Sequence, residues 1–160
     1  MWTAITHAMT AWSDWYSNSA ILRSSVGFLH VAGLVVGGGA ALVEDRAILG
    51  AGGYAAARRR TEVRINERAA HGVVLSGLAV VMASGVLLFA ADVDTYLHSS
   101  AFWIKMALVV LLLANGYWLQ RAEVAFEASE RAWPALRRAA SLSLALWLLT
   151  TLAGAVLPNV

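Results

Sequence analysis

The sequence contains no cysteine, which removes disulfide frames, thiolate metal ligands and iron–sulfur clusters from consideration. It has only two prolines, Pro134 and Pro158, and both fall at or beyond the expected helix ends, so no ring interrupts a long helix. Charge is scarce: Asp, Glu, Lys and Arg make up 14% of 160 residues, against roughly 25% in soluble domains. The formal net charge of +2 is too small to suggest a nucleic-acid partner. There is no H-E-x-x-H, no G-x-S-x-G, no phosphate-binding loop and no pair of intramembrane carboxylates. Hydrolysis and phosphoryl transfer therefore have no support. The N-terminus has neither a basic leader nor an A-x-A cleavage signal, so no cleaved signal peptide is expected.

What is abundant is apolar surface. Hydrophobic residues reach 59% and gather in four blocks of membrane length, about 20–43, 70–91, 101–119 and 138–157. The fold class this predicts is all-α: an integral membrane four-helix bundle forming one membrane domain over residues 1–160. Before the first span, Trp12, Trp15 and Tyr16 cluster as interfacial anchors do. With Ile5 and Met9 they suit a short interfacial helix over residues 2–18. The stretch 61–70 alternates Glu and Arg at helical spacing, a polar lead-in continuous with the second span. Residues 120–138 form a polar loop of amphipathic helical pattern, in which Pro134 is placed to open the fourth helix.

Orientation follows from the basic residues. Ten of the twelve lie in the two connections 44–70 and 120–138, and only Arg23 and Lys105 lie elsewhere. By the positive-inside rule these connections are cytoplasmic and the topology is N-out/C-out. The expected location is the bacterial cytoplasmic (inner) membrane, multi-pass, with the lipid bilayer as the first partner.

The stretch Gly27–Arg46 organises the remaining reading. His30 sits on an otherwise apolar span, and Gly33, Gly37 and Gly38 follow it at three, seven and eight residues. They share the histidine's face, small enough for another helix or a planar ligand to approach closely. On the second span Gly77, Val81, Ser84 and Gly85 form a small-xxx-small face for tight packing. His30 lies about 10–15 Å below the outer edge at 1.5 Å per residue. His71 begins the second span at the cytoplasmic side, roughly half a bilayer away, so the two histidines cannot clamp one haem. His98 approaches the depth of His30 if the third helix starts near Thr95, and Lys105 lies seven residues further along the same face. His30, His98 and Lys105 thus define an outer-half candidate site, with His30 and His98 as metal ligands and Gly33, Gly37 and Lys105 lining a cofactor. Haem b is the first candidate, since imidazole on a glycine-lined helix suits a porphyrin; copper is the second. Bland alternatives stand beside this: His30 hydrogen-bonded to a neighbouring helix, Lys105 snorkelling to headgroups, His98 solvated, Met82 and Met106 as core filler. Glu44, Asp45 and Arg46 read as a helix-end ion pair.

The segment LHVAGLVVGGGAALVEDRAILG (29–50), together with SGVLLFAADVDTYLHSSAFWIKMALVVLLLANG (84–116), resembles a group of small bacterial four-helix membrane proteins. Phe102 to Lys105, F-x-x-K, is similar to the CopD-type copper-resistance membrane domain. The resemblance covers about 29–120 and implies an inner-membrane four-helix protein tied to copper or haem, with His30 and Lys105 at its motif positions. It supplies no activity. The departures are the absence of a leucine between Asp45 and Arg46 and of methionine- or histidine-rich periplasmic parts. Two functions compete. One is a cofactor or metal protein in electron transfer or metal handling. The other is a non-catalytic subunit or scaffold, packed against a membrane-protein partner or its own copies.

Overall fold

The computed structural model describes residues 2–51 and 56–156, with side chains from 9–51 and 71–156. All of its regular structure is helical. Among the described residues, seven α-helices follow one another: α1 (Trp2–Asn18), α2 (Ala20–Gly33), α3 (Gly39–Gly50), α4 (Ala56–Ala91), α5 (Val93–His98), α6 (Ser100–Ala128) and α7 (Trp133–Val156). A single π-helical turn, Leu34–Gly38, joins α2 to α3 without a break, giving one helix from Ala20 to Gly50.

The boundaries are set by side chains that satisfy exposed helix-end amides. Ser19 accepts from the Leu22 amide, Asp92 from Thr95, and Ser99 from Phe102. Ser129 accepts from the Arg131 amide and turns the chain through a short 3-10 segment into α7. Pro134 falls in the first turn of α7, where the missing N–H costs nothing.

Four helices are long and apolar enough to cross a membrane: Ala20–Gly50, His71–Ala91, Ser100–Ala128 and Glu130–Val156. This is consistent with a multi-pass membrane protein, and the distribution of side chains agrees. Phe28, Val35, Val86, Ile104, Val110, Leu148 and Leu152 are exposed, whereas Glu44, Asp45, Ser84, Asn115, Ser143 and Thr150 are buried. Water would not favour that inversion; lipid does. Met82 is exposed among the apolar residues and is not the core filler its composition suggested.

Helix α4 packs along α2, the π turn and α3, while α7 packs against both α3 and α6. α4 and α6 touch at two levels. At the α1 end, Phe89 stacks on Phe102 at 5.4 Å with Tyr96 against both. Towards the opposite side, near the middle of α4, the Gln120 side-chain amide donates to His71 Nε2 at 3.2 Å. The N-terminal segment is a helix. It lies on the last turn of α4, where Ser13 donates to the Ala91 carbonyl at 2.7 Å and Trp12 to Leu87 at 2.9 Å. Ser13 thereby satisfies an orphan carbonyl of the helix end.

Two apolar clusters fill the interior. One gathers Ala41, Leu112, Leu146 and Trp147, with Leu34, Leu42, Val74 and Leu108 around them. The other, towards the end opposite α1, gathers Ile48, Ala122, Phe126, Leu136 and Ala140.

Three expectations need correction. The first span does not end at 43 but continues to Gly50, because Glu44 and Asp45 turn inward and only Arg46 is exposed. Asp45 is consequently not a member of a helix-end ion pair: it is 1% exposed and neither carboxylate oxygen has a hydrogen-bond partner. The polar stretch 120–138 is not a loop either, since α6 runs to Ala128 and buries Ala122 and Phe126 against α7.

Candidate functional site

Glycine is the reason the site forms. A Cβ placed on Gly77 would lie 2.5 Å from the Gly37 Cα, 2.6 Å from the Gly37 nitrogen and 2.9 Å from the Gly33 carbonyl oxygen. Backbone therefore touches backbone where α4 crosses α2 and the π turn. Gly38, the next residue, meets the Trp147 ring of α7 instead, with a would-be Cβ contact of 3.0 Å. A π turn carries an extra residue, and here consecutive glycines face two different helices.

This close crossing brings Ser84 of α4, seven residues beyond Gly77, to His30. His30 Nδ1 lies 3.0 Å from Ser84 Oγ. The Ser84 hydroxyl donates its own proton to the Val80 carbonyl at 2.6 Å, with the Val81 carbonyl at 3.2 Å. Ser84 Oγ can then only accept, so His30 must donate from Nδ1–H. That fixes the neutral tautomer and leaves the lone pair on Nε2. Nε2 is buried and has no hydrogen-bond partner. Gly85 keeps the flank of the ring open, since a Cβ there would stand 3.4 Å from the His30 Cε1.

Lys105 of α6 belongs to the same region. Its ammonium lies against Gly154 of α7, with 3.4 Å between Nζ and a would-be Cβ. It is half-buried. Thr150, one turn before Gly154, is buried and its hydroxyl is also without a partner. His30, Ser84, Lys105 and Thr150 all lie in the α1-end half, beyond the apolar cluster around Trp147. An imidazole lone pair, an orphan hydroxyl and an ammonium can accept a hydrogen bond or metal, donate one, and balance an anion.

Of the residues expected at the site, the structure associates His30 with Lys105 and leaves His98 apart. His98 is exposed on α5, its Nδ1 2.8 Å from the Asp94 carbonyl. The Ser99 cap restarts the chain as α6, so His98 never enters the third long helix. Gly33 and Gly37 face Gly77 rather than open space. Among the described residues, no group of three or more His, Asp or Glu side chains is gathered to hold a metal ion. Ser84 appeared in the sequence only as part of a small-residue face, and Thr150 was not singled out. No family model matches the chain, and neither a curated protein nor a solved structure gives a significant match.

Proposed function

We propose that the chain is a four-helix bundle of the bacterial cytoplasmic membrane, N-out/C-out, that binds haem b in its outer half through His30. The carrying observation is the buried, partnerless Nε2 of an imidazole whose Nδ1–H is committed to Ser84. Ligating histidines are commonly oriented in this way by a hydrogen bond from the second ring nitrogen. His30 would supply an axial ligand, Ser84 would hold the tautomer, and Lys105 would balance a propionate. Haem would contribute one-electron redox chemistry, which suits electron transfer better than catalysis. Gly33 and Gly37 serve here by drawing α4 close enough for Ser84 to reach His30, and the macrocycle is not received on them. Copper is the weaker candidate, since a single imidazole with no thiolate is a poor copper site. The resemblance to CopD-type membrane domains supports the same region of the chain, and the asymmetry of the basic residues supports the orientation.

The test is the absorption spectrum of detergent-purified protein from haem-replete cells. A Soret band is expected in wild type, lost in His30→Ala and kept in His71→Ala and His98→Ala. Wild-type protein without a Soret band would end this reading and leave the non-catalytic subunit, in which Nε2 meets a partner chain.

A further inference from the structure

A second polar layer lies deeper in the molecule, independent of the haem proposal. Its register is fixed by the two apolar clusters. On the Ala20–Gly50 helix, Ala41 belongs to the Trp147 cluster and Ile48 to the Phe126 cluster. Asp45 lies between them. On α6, Leu112 belongs to the first cluster and Ala122 to the second, with Asn115 between. On α7, Ala140 and Leu146 bracket Ser143 in the same way. One residue each from α3, from α6 and from α7, which packs against both, thus falls in a single polar layer, closed by apolar side chains above and below.

The layer is unbalanced. Asp45, Asn115 and Ser143 are 1%, 4% and 5% exposed. Asn115 donates from Nδ2 to the Ala139 carbonyl of α7 at 3.1 Å, and its Oδ1 has no partner. Both Asp45 oxygens lack one too, although the Ser143 hydroxyl approaches them without completing a well-formed hydrogen bond. Neighbouring Glu44 is engaged in an interaction of its own. Among the described residues, three oxygen acceptors are therefore buried with one hydroxyl and no cationic side chain to meet them. Buried polar groups are ordinarily satisfied, and an unpaired buried carboxylate is strongly unfavourable. A bound cation would balance the carboxylate and meet all three acceptors at once.

We propose that Asp45, Asn115 and Ser143 form a binding site for a desolvated monovalent cation, sodium by its hardness and size. All the donors are oxygens, which suits a hard ion and not a transition metal. One carboxylate neutralises one charge. A divalent ion would leave a net positive charge enclosed by the two apolar clusters.

The test is thermal unfolding of the full-length purified protein, followed by tryptophan fluorescence, in NaCl against choline chloride at matched ionic strength. Trp147, one of seven tryptophans that report the unfolding, borders the layer. A ligand that binds only the folded state raises the midpoint with the logarithm of its concentration above Kd. Wild type should show this rise in sodium and not in choline. Asp45→Asn should fold and lose the sodium dependence. Asn115→Leu should raise the half-saturating sodium concentration roughly tenfold, as expected for one lost charge-assisted contact. A wild-type midpoint indifferent to the choice of cation would overturn the proposal, as would sodium dependence retained in Asp45→Asn. Neither result bears on the Soret band, so the two proposals fail separately.

Discussion

Replacing Gly77 with alanine tests the helix crossing on which the His30 site depends. The added methyl would sit 2.5 Å from the Gly37 Cα, 2.6 Å from its nitrogen and 2.9 Å from the Gly33 oxygen. All three are backbone atoms, so no rotamer can move aside. Carbon atoms pack at about 3.5–4.0 Å, so α4 must retreat from α2 by roughly 1 Å, a gap that removes a quarter to a half of each dispersion contact along the seam. Overpacking of this kind costs about 1–3 kcal/mol. At about 2–4 °C per kcal/mol, the melting midpoint should fall by about 2–12 °C. Gly116 is the control, because a Cβ there meets nothing within 4 Å. Gly116→Ala should be neutral or stabilise by up to about 1 kcal/mol through helix propensity. The assay is unfolding in one detergent, read by circular dichroism at a helical wavelength. If Gly77→Ala melts with Gly116→Ala and wild type, the close crossing does not exist and the placement of Ser84 beside His30 loses its cause.

Reporter fusions test the topology: insertions after Arg131 should report cytoplasm and a fusion at Val160 the exterior, and a cytoplasmic C-terminus would mean a miscounted span. Tyr96, at the α1 end outside the long helices, has its hydroxyl pushed above the ordinary value of 10.0, chiefly by burial and then by Tyr16 and Asp92. Its neutral form is favoured on folding, so its stabilisation is complete below pH of about 10 and is lost as pH rises through the raised folded value. Tyr96→Phe should flatten the alkaline limb of the stability curve. An unchanged limb would show that Tyr96 ionises as freely in the folded protein as in the unfolded chain.

The long helices were legible because lipid imposes one requirement along the whole length of a span, and 59% hydrophobic residues in four blocks meet it. The Gly33–Gly37 face and its partner around Gly77 were legible for a similar reason, since small residues at helical spacing have few other uses. Which ligand-sized object fills such a face is not encoded in the face, and here it is a helix. His98 misled because its depth depended on where the third helix begins. The Ser99 cap decides that. Asp45 was missed for a different reason. Charges at the end of an apolar run usually mark the interface, and three together, Glu44 to Arg46, hide the Ala41–Asp45–Ile48 spacing that continues the buried stripe. The π turn has no sequence signal beyond its glycines.

The cluster of Ala41, Leu112, Leu146 and Trp147 separates the layer containing His30 and Lys105 from the layer containing Asp45 and Asn115. Lys105 and Asn115 are ten residues apart on α6, and Ser143 and Thr150 seven apart on α7, so the cluster spans about 10–15 Å along the axis. A charge passing from one layer to the other in a bilayer would have to cross this apolar cluster, and the membrane potential would weight that crossing by up to about 2.3 kcal/mol per elementary charge per 100 mV, in proportion to the share of the voltage that falls over it. The indole of Trp147, seated on Gly38 within the cluster, lies on that route.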